Sequence, residues 1–216
     1  MNLVLQNTFW ETSPALFDQA LGVCYSVEAL NANHANAFKA IRLEALSGND
    51  RKYFGASYEE ERGFTADQWR QRCVQTPYNS VFGLFAEDNL ERKLVGVLVA
   101  TKWNGDKEGH TVKWGSAYIK PEYRGKELEG KKISSLLYQA RMEWTKRNPN
   151  FTRAIFFIRE GNIKSTEIHK KHGATLMYSQ PMQWADGEIA TANWYQKALR
   201  PMLCFSHNKT QQALLF

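Results

Sequence analysis

Tyr118-Ile119-Lys120-Pro121-Glu122-Tyr123-Arg124-Gly125-Lys126, followed after Glu127-Leu128-Glu129 by Gly130-Lys131-Lys132-Ile133-Ser134-Ser135-Leu136-Leu137, is the stretch on which the architecture turns. Its head reads as a strand, its middle is polar with two glycines, and its tail opens an apolar pattern of helical period. Ile133, Leu136, Leu137, Ala140 and Trp144 recur at i, i+3, i+4, i+7 and i+11, one face of an amphipathic helix. Asn148-Pro149 ends it, because proline disfavours the helical conformation in the residue before it. A strand that turns tightly into a helix points unpaired N–H groups and the positive helix end at one spot, which favours an anion such as pyrophosphate. Gly125 and Gly130 permit backbone shapes and close approach that side chains resist. Arg124, Lys126, Lys131 and Lys132 add positive charge around them. An ordinary solvated loop can have the same composition, so this stretch alone leaves both readings open.

Working outward, 153–159 is a short apolar strand. A helix of this length makes a crossover, so the strand is expected parallel to the one before the helix. A shorter helix over 163–172 stops at Gly173, and strands follow near 174–178 and 193–199. Upstream, 81–86, 93–103 and 111–120 are strand-like and joined by short polar turns, which implies antiparallel pairing. Ala37, Ile41, Leu43 and Leu46 mark a helix stopped by Gly48, and Thr65 caps another through Trp69 to about Val74. A first strand covers 22–29. The expectation is an α/β fold: a mixed, mostly antiparallel central sheet with one parallel, splayed strand pair and flanking helices. It divides the chain into an N-terminal extension, 1–21, a domain, 22–199, and a C-terminal extension, 200–216.

Composition narrows the function. With 216 residues, 43% hydrophobic and 23% charged, the chain fits one globular domain. Its longest apolar run, 94–100, is far short of the roughly 18 residues a membrane span requires. The first ten residues lack the basic head of a signal peptide. Cys24, Cys73 and Cys204 are odd in number and form no metal spacing. The expectation is therefore a cytoplasmic protein with reduced thiols and no membrane partner. A net charge of +6 invites a nucleic-acid reading, but basic and acidic residues are interleaved, which argues against it. Only the stretches at 126–132 and 164–172 concentrate positive charge, and both also suit a small anionic ligand.

The run Ile119-x-Pro121-x-x-Arg124-Gly125 ahead of an amphipathic helix resembles the signature of the GNAT superfamily of N-acetyltransferases. Arg42-Leu43-Glu44-Ala45-Leu46, Ser57-Tyr58-Glu59-Glu60-Glu61 and Trp69-Arg70 are similar to segments of its small-molecule members. Asn162-x-x-Ser165 with His172-Gly173 resembles the second cofactor motif, and 194–199 the closing strand. The similarity runs in order from Val27 to Leu199. Two departures stand out. Glu127-Leu128-Glu129 lengthens the phosphate loop with two carboxylates, each opposing an anion by about 1 kcal/mol at surface dielectric. His169 stands where many members carry a tyrosine.

The resemblance implies acetyl-CoA as co-substrate and direct attack of an amine on its thioester. The acceptor would be a small molecule or amino-acid-like amine. It implies that backbone groups of Ala117, Tyr118 and Ile119 pair with the pantetheine arm, together with Asn162 and Ser165. It also assigns the pyrophosphate to Arg124, Gly125, Lys126, Gly130, Lys131, Lys132 and Ser134. Glu60 or Glu61 is the expected base, with Glu60 preferred, although an acidic run is commonly just solvated. His169 is the expected acid toward the departing thiolate, or else a surface histidine on a basic helix. His169 and His172 have i, i+3 metal spacing but no further ligand in reach, so no metal is expected. A non-catalytic acyl-CoA-binding module is the alternative function, and a homodimer is left open.

Overall fold

The computed structural model describes residues 15–200, so most of the two expected extensions lies outside the described residues. In chain order the described part runs β1 (Ala15–Asp18), β2 (Val23–Ala29), α1 (Ala35–Ser47), α2 (Tyr58–Arg62), α3 (Ala66–Arg72) and β3 (Asn79–Glu87). It continues through β4 (Arg92–Lys102), β5 (Thr111–Ile119), β6 (Glu127–Leu128), β7 (Lys131–Lys132), α4 (Ile133–Arg147) and β8 (Arg153–Arg159). Then come α5 (Ile163–Lys171), β9 (Thr175–Gln183) and β10 (Ile189–Ala198). Eight strands form one sheet in the order β1-β2-β3-β4-β5-β8-β10-β9. Among the described residues only β5 and β8 pair in parallel, as the crossover through α4 requires. The expected mixed, mostly antiparallel sheet with a parallel pair is the fold observed. No helix of the described residues is long and apolar enough to cross a membrane.

Both faces of the sheet are covered, so its central strands read as nearly continuous apolar runs. On one face Phe82, Val95, Leu98 and Trp114 pack against the α4 stripe Ile133, Leu136, Leu137, Ala140 and Trp144. On the other, Val81, Phe85, Leu94, Val97 and Tyr118 meet Phe38, Ile41 and Ala45 of α1 and Trp69 of α3. The Thr65 hydroxyl accepts from Gln68 N–H and the Gln68 side chain accepts from Thr65 N–H, so the expected cap of α3 is a full capping box.

Three elements differ from the sequence expectation. Residues 15–18 form an edge strand paired with β2, ahead of the domain boundary expected at 22. Tyr58–Arg62 is a helix of five residues, too short for its period to register. The lengthened stretch after Lys126 is no open loop but a small β6–β7 hairpin, pairing Glu127 with Lys132 and Leu128 with Lys131. Its two turn residues, Glu129 (φ 52) and Gly130 (φ 71), both take the left-handed conformation of a type I′ turn. Gly130→Val should therefore destabilise the protein by about 1–2 kcal/mol, since a branched residue resists that conformation. Glu129→Asn should be neutral or slightly stabilising. Urea denaturation of the two variants checks the pair.

Candidate active site

β5 and β8 stay paired for only three residues, Thr111–Arg153, Val112–Ala154 and Lys113–Ile155, and then part. β8 can leave because its other edge is held by β10 along the whole of Arg153–Arg159. β5 turns away at a bulge: its register on β4 passes from Val97–Tyr118 to Val99–Gly115, leaving Ser116 and Ala117 opposite Leu98 alone. Ser116 sits at φ 52, a left-handed conformation uncommon for a side-chain-bearing residue. The gap opens into a cleft of about 370 Å³ that reaches from the α4–α5 face of the sheet to the α1–α3 face. Facing edges of the two strands, at 114–117 and 156–158, line it.

On the α5 side stand Asn162, Ser165 and His169, three expected site residues that the fold brings together. Asn162 caps α5, its side-chain oxygen accepting from Ser165 N–H at 3.3 Å. His169 Nδ1 lies 2.8 Å from the Ser165 carbonyl oxygen. A carbonyl only accepts, so Nδ1 carries the proton and Nε2 keeps a lone pair. Burial outweighs the raising effect of the Ser165 bond and, with smaller repulsion from Arg141 and His172, pushes the imidazole down to about 4. His169 is therefore neutral at pH 7, and the acid expected of it is in the wrong protonation state at rest. Arg141 of α4 lines the same wall, only 2% exposed. Its guanidinium lies 4.1 Å from the Trp114 ring centroid, its Nε has no hydrogen-bond partner, and burial lowers its pKa to about 9.

The α1–α3 side is built on an ion cluster. Arg42 Nε and Nη2 donate to the two oxygens of Glu61, both at 2.9 Å, and Arg72 pairs with the same carboxylate at 3.1 Å. Burial would raise the Glu61 pKa, but the hydrogen bonds and charges of Arg42 and Arg72 outweigh it and hold the carboxylate ionised. Glu60, the preferred base, is exposed and does not line the cleft; Glu61 does. Successive helical residues point about 100° apart, so only one of the two can face inward. Because its oxygens are taken by two arginines, Glu61 is an anchor rather than a base.

The remaining expected residues lie apart from this cleft. Tyr118 and Ile119 belong to the β4–β5 ladder; the Tyr118 hydroxyl donates to Glu44 at 2.9 Å, and the Ile119 carbonyl accepts from Arg124 Nε at 2.7 Å. Arg124 also pairs with Asp50, and Lys126 Nζ donates to the Tyr25 hydroxyl at 3.0 Å. Two of the seven expected pyrophosphate ligands, Arg124 and Lys126, are thus engaged within the protein. Gly125 turns the strap at φ 74, while Gly130, Lys131 and Lys132 lie in the hairpin. Ile133 N–H donates to Lys126 O at 3.1 Å, closing the loop across the base of that hairpin. Among the described residues no side chain caps α4, so apart from that of Ile133 the backbone N–H groups of its first turn, around exposed Ser134, lack a capping partner.

Sequence reasoning passed over Lys113, Ser116 and Arg141, and met Arg42 only inside a family segment. A signal existed for three of them. Arg42 and Arg141 fall at i+4 from Phe38 and Leu137, inside the apolar stripes of their helices, where a charge signals a buried partner or ligand. Gly115-Ser116 interrupts a strand of bulky residues, a mark of a bulge.

Two measurements follow. Glu61→Ala should cost about 3–5 kcal/mol, because it leaves two arginines without their shared carboxylate; chemical denaturation reads it. His169, with a folded pKa near 4 against 6.5 unfolded, contributes stability that is fully present above pH 6.5 and lost as pH falls to about 4. The lowered Glu61 pKa removes stability only below its ordinary 4.5. His169→Gln should therefore flatten the stability profile between pH 4 and 6.5 and leave the more acidic fall in place.

A family model described as the acetyltransferase (GNAT) family matches residues 43–174. A search of curated proteins finds no match. Among solved structures, the ribosomal-protein-S5-alanine acetyltransferase from Vibrio fischeri is 16% identical, with 82% of this chain and 94% of that chain covered and a TM-score of 0.64. A ribosomal L7/L12 alpha-N-protein acetyltransferase in complex with coenzyme A is 16% identical over 81% and 93%, TM-score 0.61. An N-acetyltransferase from Staphylococcus aureus is 17% identical over 82% and 99%, TM-score 0.59. Likeness at such identities speaks to the fold, whereas the family model spans most of the chain, including the bulged β5, α4 and α5 that form the cleft: this protein belongs to the GNAT acetyltransferase family.

Proposed function

We propose that the protein is an N-acetyltransferase that moves the acetyl group of acetyl-CoA onto the amine of a small, amino-acid-like acceptor. The observation that carries this reading is the cleft through the parted strands with the neutral His169 on its wall. Unpaired strand edges at 114–117 and 156–158 suit the amides of a pantetheine arm, which would add to them as a strand adds to a sheet. Asn162 and Ser165 offer further polar groups beside them. The uncapped start of α4, with Lys131, Lys132 and Ser134 around it, suits a pyrophosphate.

Acetyl-CoA supplies the activated acyl carbon; the protein's own groups supply position and proton transfer. Holding amine and thioester together in one cleft removes much of the entropic barrier. Backbone N–H groups at the Ser116–Ala117 bulge stabilise negative charge on the acyl oxygen. The acceptor reaches the cleft as an ammonium (pKa about 10.4 for a lysine-like amine) and reacts only after losing a proton to solvent. As the nitrogen becomes an amide it sheds a second proton, which the lone pair on His169 Nε2 accepts. An imidazolium of pKa about 4 then yields that proton readily to the departing thiolate, whose pKa is near 8.5. One ring thus serves as base and then as acid.

The engagement of Arg124 with Asp50 and of Lys126 with Tyr25 favours a second reading, a non-catalytic acyl-CoA-binding module with the same fold. Two assays separate them. Acetyl-CoA at roughly 100 times its dissociation constant should raise the melting midpoint by about 5–10 °C under either reading. Only the enzyme releases free thiol when amines are added, and His169→Gln should lower that kcat about a hundredfold or more while keeping the melting shift. Because His169 titrates near 4 rather than 6.5, the acid limb of kcat/KM should move with the pKa of the chosen amine. Thiol release absent for every amine, with the melting shift intact, selects the binding module.

A further inference from the structure

The cleft holds more positive charge than the protein neutralises. Arg42, Arg72, Lys113 and Arg141 line it, against the single carboxylate Glu61, so four cations and one anion leave a net charge of +3. His169 is neutral and does not change that sum. Lys113 has no ion-pair partner among the described residues; its ammonium lies 5.2 Å from the Phe157 ring centroid, and burial lowers its pKa. Buried cations without counter-ions are costly, and their persistence around a cavity points to an anion that arrives with a ligand.

Arg42 shows where that anion belongs. The residue is only 3% exposed. Two of its nitrogens are committed to Glu61, which fixes the plane of the fork. The third, Nη1, is buried and donates to nothing among the described residues. Arg42 lines the cleft, and a pre-oriented, unsatisfied guanidinium nitrogen is a ready carboxylate ligand. The charge of Arg72 lies in the same cluster and that of Lys113 on the same cavity wall. The phosphates of a coenzyme do not account for this group. Arg42 and Arg72 belong to the α1–α3 face, whereas the start of α4 and its lysines lie on the other face of the sheet.

We propose that the acceptor carries a free carboxylate beside its amine, as an amino acid does, and that this carboxylate docks on Arg42 Nη1 within the field of Arg72 and Lys113. The proposal rests on the transferase reading for its amine but on the cation cluster for its carboxylate. The apolar wall of Phe54, Gly55 and Phe157 bounds the acceptor's side chain, and Gly55 lets the chain pack closely on the Phe157 ring, which a Cβ there would meet at 3.2 Å. The same site disfavours the amine of a peptide N-terminus, whose neighbouring carbonyl is a neutral amide that leaves Arg42 Nη1 without its charged partner.

The test pairs amino acids with their carboxamides and with dipeptides, in thiol release from acetyl-CoA by the full-length protein. Calorimetric titration of N-acetyl amino acids against N-acetyl amino acid amides runs beside it and needs no turnover. Free acids should exceed their amides by at least about thirtyfold in kcat/KM, and N-acetyl acids should bind at least about tenfold more tightly than their amides. Arg42→Met should abolish the preference but risks the fold through Glu61. Lys113→Met leaves the Arg42–Glu61 pair in place and should weaken N-acetyl acid binding about tenfold while leaving amide binding unchanged. Equal rates for acids and amides or dipeptides overturn the carboxylate site and leave the transferase standing. Preferential binding of the N-acetyl acids without turnover of any amine upholds the site and removes the transferase. No binding of either, with no turnover, overturns the site.

Discussion

Everything that makes this sheet more than a scaffold depends on the parting of β5 from β8 after three paired residues. A strand edge left unpaired in a protein interior is unfavourable, because buried backbone groups demand partners. Two features make the parting tolerable. β8 is fully paired to β10 on its far side, so it keeps one complete ladder wherever β5 goes. β5 is bulged at Ser116–Ala117 against β4, which bends it away while most of its β4 register survives. The remaining open edges are polar, extended and narrow, a shape that a ligand with amide groups in an extended chain can complete.

The parting has an electrostatic consequence as well. A sheet with both faces covered keeps the residues of its two faces apart, yet a gap in the middle lets helices from both sides line one space. Arg42 from α1 and Arg141 from α4 belong to opposite layers and still reach the same cleft. Each is tied to its own layer: Arg42 to Glu61, and Arg141 to the faces of Trp114 and Tyr138. Stacking on aromatic rings holds a guanidinium in place without neutralising it. That leaves the charge of Arg141 available, and it contributes to keeping His169 deprotonated. The positive cleft and the neutral imidazole are thus two results of one arrangement.

Much of the fold was legible because its long elements have clean periods: α4 from its apolar stripe, β3 to β5 from their short turns, and β8 as parallel from the crossover. The losses fall where period carries no information. α2 has five residues, β1 has four, and β9 is an exposed edge whose polar residues and Pro181 hide its length. Asn162, Ser165, His169 and Ala117 are expected from segments fixed to element boundaries, and all four line the cleft. Glu60 was preferred over Glu61 for want of a helical phase, which a one-turn helix does not reveal. Arg42 and Arg141 were overlooked for a different reason: they are charges at apolar positions, and a pattern that scores apolar residues passes over them. Each also has a partner far off in the chain, Glu61 for Arg42 and Trp114 for Arg141, which no local window contains.

The β6–β7 hairpin takes up the length between Lys126 and Ile133 without opening the strap. Six residues, 127–132, stand between Lys126 and Ile133, and the bond from Ile133 N–H to Lys126 O brings those two ends together. A type I′ turn lets the extra chain double back on itself within that length. The strap therefore still leads from β5 to the start of α4, with the insertion carried as a side branch rather than as slack. Glu127 and Glu129 ride on that branch, both exposed, where water and salt weaken their repulsion of an anion at the helix start. Lys131 and Lys132 sit on its returning strand, next to the helix. The order along the hairpin, acid on the outward strand and turn, base on the return, sets the positive residues nearest the uncapped N–H groups. An insertion that looked hostile to a phosphate in the sequence is, once folded, arranged with its charges in the favourable order.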